Sequence, residues 1–179
     1  MSKLKILTDP DPELRKKSAP VDSVNDDIKQ QIKDMLVVLR SLPGYGLAAP
    51  QVGISRKIVV IENQPEYDDE GKQTNTSLPL TILINPEVVK TSTEKCSFEE
   101  GCFSVPLYRG DVIRPKKVKV KALNEKGEKT QINASGLFAR VLQHEIDHLE
   151  GILFIDLIED KTKLIRNEIG PEWKEAIEG

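Results

Sequence analysis

The chain has 179 residues, of which 38% are hydrophobic, a size and composition that fit one domain with its own hydrophobic core. Charged residues make up 31%, both signs are interspersed and the net charge is −3, so no basic surface for nucleic acid or membranes is indicated. Residues 1–7 lack the apolar run of a signal peptide, and no stretch approaches a membrane span. We expect one cytoplasmic domain over residues 1–179, with Cys96 and Cys102 as thiols or metal ligands rather than a disulfide.

The first half of the chain predicts one amphipathic helix, followed by a loop and a buried strand. Apolar residues recur at helical spacing behind Asp26 and Asp27, whose charges suit the positive end of a helix, and Pro43 and Gly44 end the pattern. In chain order we predict a helix over residues 25–42, a glycine-containing loop over 44–53, a buried strand over 57–62 and an exposed loop over 64–77.

The second half predicts short strands and a second helix. Lys116, Lys117, Lys119 and Lys121 accompany alternating apolar residues, which favours the solvated side of a strand over a binding patch. The predicted elements are a strand over 80–85 ended by Pro86, strands over 88–89, 94–98, 112–113, 117–123 and 129–133, a helix over 137–150 between Ser135 as cap and Gly151 as stop, an extended segment over 152–158, and an amphipathic stretch through Ile169. This pattern predicts an α+β fold, a single domain of mostly antiparallel sheets packed around one central helix.

The only two histidines of the chain, His144 and His148, lie four residues apart with Glu145 between them. On a helix this spacing places both imidazoles on one face, where they can bind the same divalent ion. Leu137 and Val141 share that stripe, so the histidines project from a face that is otherwise apolar. Two buried, hydrogen-bonded core histidines are the alternative, which the presence of Glu145 directly after the first histidine disfavours.

A catalytic centre of this kind needs a third protein ligand and one open position for water. Cys102 is the best candidate, because thiolate and imidazole together suit Zn(II) or Fe(II), and Gly101 allows the backbone to turn sharply beside it. Water at the open position would be acidified by the metal, and Glu145 would then carry its proton to the leaving amine. Asp147 either pairs with Arg114, orients a ligand, or is a solvated carboxylate.

Hydrolysis of an amide also requires hydrogen-bond donors aimed at the oxygen that becomes negative. Residues 44–51 offer them, because glycines and alanines let this segment lie close to a ligand and the Gln51 amide can donate. By itself this segment is a weak signal, since Gly46 could simply form a turn and Gln51 could lie on the surface.

Three segments, residues 44–51, 100–104 and 143–148, resemble the three signature motifs of peptide deformylases, in the same order and at similar separations. The resemblance extends over nearly the whole chain to about Ile158. It implies removal of the N-formyl group from formyl-methionine at the start of newly synthesised bacterial or organelle-made proteins, with release of formate. The implied partners are N-formyl-methionyl nascent peptides and, transiently, the ribosome, with no direct nucleic-acid site and no membrane contact.

The match of motifs also implies a role for each site residue. The implied metal ligands are Cys102, His144 and His148. Glu145 would be the acid–base residue, and Gln51 and the backbone N–H of Phe103 would hold the oxyanion. The ion would be Fe(II), the usual metal of the family, with Zn(II) or another divalent ion as alternatives. The family more often carries an aliphatic residue such as Leu at position 103, so Phe103 is a departure expected to alter the rim of the site.

The resemblance also implies a substrate cleft and a pocket for the methionine side chain. Residues expected to line the peptide-binding cleft are Tyr45, Gly46 and Leu47, with Gly46 pairing with the substrate main chain. Residues expected to border the methionine pocket are Arg109, Leu137 and Val141, although Arg109 could instead be a surface residue.

Two other classes of protein stay open from the residues alone. A structural metal module would close a four-ligand site with Cys96, but five residues separate Cys96 from Cys102, outside the usual two to four of structural zinc sites. A peptidase using the same two-histidine helix normally takes its third ligand downstream, and no histidine follows His148.

Overall fold

The computed structural model describes residues 4–167. The two ends of the predicted domain, residues 1–3 and 168–179, lie outside the described residues. Of the predicted amphipathic stretch through Ile169, only the part up to residue 167 is described, and there Ile165–Arg166 form a short strand. The described helices and strands are, in chain order, α1 (Asp26–Arg40), β1 (Gly46–Ala48), β2 (Ile58–Asn63), β3 (Leu78–Thr91), β4 (Lys95–Gly101), β5 (Tyr108–Pro115), β6 (Lys117–Leu123), β7 (Lys129–Ser135), α2 (Gly136–Leu149) and β8 (Ile165–Arg166). Neither helix is long and apolar enough to cross a membrane, as judged over these described residues.

The strands form two antiparallel sheets. One has five strands in the order β1-β2-β3-β6-β7, and the other has three in the order β4-β5-β8. Helix α2 lies against strands of both sheets, while α1 packs against β1 and β2. The predicted α+β class, with antiparallel sheets around a central helix, is therefore confirmed.

Local sequence explains where the two helices begin and end. The Asn25 side chain accepts a hydrogen bond of 3.0 Å from the N–H of Ile28 and so caps α1. Ser135 occupies the cap position of α2, as predicted, but its side chain makes no capping hydrogen bond. Gly151 follows α2 with φ +76°, and a Cβ there would lie 2.4 Å from the carbonyl oxygen of Arg15, so only glycine fits this stop.

The hydrophobic core lies on both sides of the five-stranded sheet. The buried face of α1 forms one cluster with β1 and β2, including Met35 and Val60, and the buried face of α2 forms another with β3 and β6, including Leu142 and Val120. The valines of β6 point into this core, so its lysines occupy the opposite, solvated face. Burial of α2 between the two sheets brings its histidine-bearing face into the interior.

Pro86 does not end a strand, contrary to the sequence prediction. Strand β3 continues through it to Thr91, with a register shift between Ile84 and Glu87, and the predicted strand over residues 88–89 is the second half of β3. The irregularity lies at Asn85, which has φ +51°. Its Oδ1 accepts a hydrogen bond from the N–H of Val21 and its Nδ2 donates one to the carbonyl oxygen of Val21, both at 2.8 Å. A bulge tolerates proline because it needs no ladder hydrogen bond from that residue.

Two further segments differ from expectation. The predicted loop over residues 44–53 contains strand β1 and a 3₁₀ helix, Ala49–Val52, and the predicted extended segment over 152–158 contains another 3₁₀ helix, Phe154–Leu157. In the second case the Asp156 carboxylate accepts from the backbone N–H of Leu153 at 2.8 Å and closes the turn. Side-chain capping of this kind leaves little trace in hydrophobic periodicity.

Candidate metal centre

Three potential metal ligands meet between the end of β4 and the buried face of α2. The ligand atoms of Cys102, His144 and His148 all lie within 4.8 Å of one another, and the Cys102 Sγ is 3.3 Å from Nε2 of His148. All three side chains are largely buried. A thiolate with two imidazoles is the donor set that suits a borderline divalent ion such as Zn(II) or Fe(II).

The hydrogen bonds around the histidines fit an ion at this site. Nδ1 of His144 is bonded to Glu100 at 2.9 Å, which leaves its Nε2 as the nitrogen available to a metal. Burial lowers the pKa of His148 well below its usual value and so favours the neutral, metal-binding imidazole. For His144, burial also opposes the charged form, but hydrogen bonds with Cys102 and Glu100 outweigh it and raise its pKa. A metal ion bound to this imidazole would take the place of that proton.

Glu145 lies beside the ligands with its side chain turned into the interior. The residue is 5% exposed, and its Oε2 is buried without a hydrogen-bond partner among the described residues. Burial raises the pKa of this carboxyl to about 7, and the charges of Glu100 and Asp147 act in the same direction against those of His144 and Arg114. A carboxyl group with a pKa near neutrality can both accept and return a proton.

The Gln51 amide has a defined orientation. Its Oε1 accepts from the backbone N–H of Ala48 at 2.9 Å, so its Nε2 is directed the other way, 3.2 Å from Oγ of Ser104 and 3.5 Å from Sγ of Cys102. Both hydrogens of a side-chain amide are donors, and here Nε2 has the Ser104 hydroxyl and the Cys102 thiol as its neighbours. Gln51 is therefore a buried residue of the centre and not a surface residue.

A cavity of about 260 Å³ opens onto these groups. The predicted site residues that line it are Tyr45, Gly46, Gln51, Cys102, Phe103, Leu137, Val141, His144 and Glu145. Three predicted site residues are not among the lining residues: His148 is buried, Leu47 is buried in the core around α1, and Arg109 is about half exposed and pairs with Glu99 at 3.6 Å.

Comparison with known proteins agrees with this arrangement. A family profile described as polypeptide deformylase matches residues 3–164. The chain belongs to the peptide deformylase family. The resemblance drawn from the three motifs is thus confirmed, and with it the activity, which is metal-dependent hydrolytic removal of the N-formyl group from the formyl-methionine of newly synthesised polypeptides.

Several deformylases are similar over most of their length. The peptide deformylase of Thermomicrobium roseum is 46% identical over 159 residues, which cover 89% of this chain and 88% of the relative. That of Natranaerobius thermophilus is 46% identical over 156 residues, which cover 87% of this chain and 92% of the relative. The crystal structure of the Ehrlichia chaffeensis enzyme in complex with actinonin superposes with a TM-score of 0.80 at 36% identity, over 91% of this chain and 92% of that one.

Sequence reasoning missed the buried ionic network behind this deformylase site. The Glu100 carboxylate accepts from Nδ1 of His144, from Nε and Nη2 of Arg114 at 2.7 and 3.0 Å, and from Nη1 of Arg140 at 2.9 Å. Arg114 also donates to Asp147 at 2.6 Å, so of the alternatives for Asp147 the structure selects the ion pair. Burial would raise the pKa of Glu100, but hydrogen bonds from His144 and Arg114 outweigh it and hold the carboxyl ionised.

Cys96 takes no part in the cluster of potential ligands among the described residues. Its Sγ lies 3.4 Å from Nη2 of Arg140, and the only described group of three potential ligands consists of Cys102 and the two histidines. A closed four-ligand site that includes Cys96 is therefore not formed. The sequence signal that could have identified the network is the glutamate two positions before Cys102, since histidines that bind a metal commonly donate to a carboxylate.

We expect Glu100→Gln to weaken metal binding by about 10- to 100-fold, because His144 would lose the carboxylate that orients it. Competition with a chelator of known affinity measures the change. Glu99→Gln is the matched control, since Glu99 is exposed and touches no ligand, and it should keep the metal affinity of the unmodified chain. Equal affinities in both variants would contradict the orienting role of Glu100.

Proposed function

We propose that Cys102, His144 and His148 bind the divalent ion of this deformylase and that Glu145 moves the protons of the reaction. The observation that carries the proposal is that a thiol and two imidazoles meet beside one cavity. A buried carboxylate oxygen without a described hydrogen-bond partner and an amide directed at the thiol lie next to them. A divalent ion held there supplies Lewis acidity and makes water more acidic.

Glu145 is suited to both proton transfers of the hydrolysis. As general base it would take a proton from the water whose oxygen forms a bond with the formyl carbon. As general acid it would return that proton to the nitrogen of the methionine when the C–N bond breaks, so that formate and a free amine leave the site. Its pKa of about 7, caused mainly by burial, lets one carboxyl group serve in both steps near neutral pH.

Two donors are proposed to stabilise the negative oxygen that develops between these steps. One is Nε2 of Gln51, whose orientation follows from the bond between its Oε1 and Ala48. The other is the backbone N–H of Phe103, in the turn directly after Cys102. Donors held in place before the reaction need no reorganisation when charge develops, which is why such groups lower the barrier effectively.

The edge of the five-stranded sheet is proposed to bind the substrate peptide. Within residues 4–167, strand β1 pairs with β2 alone, so its other side can accept an extended peptide through the backbone of Gly46, with Tyr45 beside it. Leu47 would contribute backbone alone, because its side chain lies in the core. Leu137 and Val141 would contact the methionine side chain. Arg109 is about half exposed, does not line the cavity and pairs with Glu99, which favours the surface alternative for that residue.

The identity of the metal, association with ribosomes and a cytoplasmic location also stay proposals. Fe(II) is proposed as the native ion by family resemblance, with Zn(II) as the second candidate. Metal analysis of protein purified without oxygen decides between these ions, because a thiolate-bound ferrous centre is sensitive to oxidation. Co-sedimentation of the protein with translating ribosomes tests the proposed transient association.

Replacement of Glu145 by glutamine tests the proton-transfer role. The Glu145→Gln variant should keep its metal, because the three ligands are unchanged, and lose about 10²- to 10⁴-fold in kcat for formate release from a formyl-methionyl peptide. Glu150→Gln is the control, since Glu150 ends the same helix and pairs with Lys57 away from the cavity. An unformylated methionyl peptide should remain uncleaved throughout. If Glu145→Gln turns over as fast as the unmodified chain, Glu145 has no part in the mechanism.

Substitution of Gln51 tests the proposed oxyanion donor. Gln51→Ala should lower kcat by about 10²- to 10³-fold, the cost of losing one such donor. Gln51→Glu keeps the size of the side chain and an acceptor for Ala48 but replaces the amide donor with an anion, so it should lose at least as much. Steady-state formate release with metal content measured in parallel gives the answer, and a Gln51→Glu variant with normal kcat would exclude the donor role.

A further inference from the structure

We propose that the aromatic ring of Phe103 is a positioning element. It fills the space that a side chain at Gly44 would need, and it thereby holds residues 44–46 at a set distance from Glu145. The proposal rests on the roles proposed above for Glu145 and for the backbone N–H of Phe103. It assigns the side chain of residue 103 a role in the reaction separate from that of its backbone.

The first observation is the contact between Gly44 and the ring. A Cβ placed on Gly44 would lie 2.1 Å from Cζ of Phe103 and 2.9 Å from both Cε1 and Cε2. These separations are far below van der Waals contact, so the ring occupies the volume that any side chain at position 44 would need. All three atoms belong to the outer end of the ring, which a leucine at position 103 would lack.

The second observation is a similar contact at Gly46. A Cβ there would lie 2.7 Å from Oε1 of Glu145 and 2.8 Å from its Cγ. Between the two glycines, the carbonyl oxygen of Tyr45 accepts a 3.0 Å hydrogen bond from the N–H of Glu62. The segment is thus held at three successive residues, by the ring, by the neighbouring strand and by the carboxyl side chain.

The ring can carry this role because the core holds it. Phe103 is 7% exposed and packs in the same buried cluster as Met35, Leu39 and Leu47. A ring packed at the density of a protein interior cannot swing aside without disturbing several neighbours. One residue therefore connects three parts of the mechanism: its backbone offers the oxyanion donor, while its ring sets the position of the peptide-binding segment over the proton carrier.

The test is a double-mutant cycle with Gly44→Ala, Phe103→Leu and the double variant. Gly44→Ala should lower kcat/KM by about 10²-fold, with KM raised, because the added methyl group must displace either the ring or the segment that binds substrate. Phe103→Leu should cost less, since it removes the obstructing atoms. The double variant should recover most of the activity lost in Gly44→Ala, because alanine then has space.

The matched control is Gly101→Ala, a glycine in the same cavity wall where an added Cβ meets no atom within 4 Å. The fold-change in kcat/KM caused by Gly101→Ala should be the same in the unmodified chain and in the Phe103→Leu variant. If the Gly44→Ala and double variants are equally impaired, or if Gly44→Ala has the kcat/KM of the unmodified chain, the proposal is wrong.

Thermal unfolding of all four proteins separates this proposal from the proposed function. If Gly44→Ala does not fold, recovery of folding in the double variant supports the matched pair, and failure of both overturns it. Suppose that the double variant recovers folding but the unmodified chain releases no formate. This result would contradict the proposed site chemistry and still support the packing of Phe103 against Gly44. Loss of stability without a change in KM would reduce Phe103 to a core residue and overturn its positioning role.

Discussion

The buried carboxylate of Glu100 is the interaction on which the rest of the site depends. It lies at the end of β4, directly before the Gly101–Cys102 turn, and accepts hydrogen bonds from His144, one of the proposed metal ligands, and from two arginines on β5 and α2. An unpaired carboxylate at this depth would be strongly destabilising, so the three partners must all be in place. The hydrogen bonds from these partners to Glu100 join the three-stranded sheet to the central helix and place the thiol of Cys102 next to the imidazoles.

Desolvation supplies the second constraint. The same burial that requires partners for Glu100 acts on Glu145, which has an oxygen without one and a pKa raised to about 7. The surroundings thus lower the pKa of one carboxyl group, Glu100, and raise the pKa of the other, Glu145. Glu100 stays ionised, whereas the raised pKa of Glu145 suits the proton-transfer role proposed for it. The absence of a side chain at Gly46 lets the backbone approach this second carboxyl closely, and the absence of one at Gly44 leaves room for the ring of Phe103.

Much of the fold and of the candidate site could be predicted from sequence. Helical periodicity located α1 and α2, alternation located β6, and the spacing of the histidines with Glu145 between them indicated the metal chemistry before any contact was known. The prediction failed where side-chain to backbone bonds override periodicity. Asn85 lets β3 pass through Pro86, and Asp156 closes a 3₁₀ turn where an extended segment was expected.

The sequence by itself determined which chemistry the chain carries, because ligand type and helical spacing are local properties of residues 143–148 and because the motifs occur in a recognisable order. Only the tertiary structure decided how that chemistry is tuned. The partners of Glu100 come from residues 114, 140 and 144, and the ring of Phe103 meets a glycine far away in the chain. Contacts between distant residues leave no periodic signal along the chain, and pKa values, donor orientation and cavity shape all arise from such contacts.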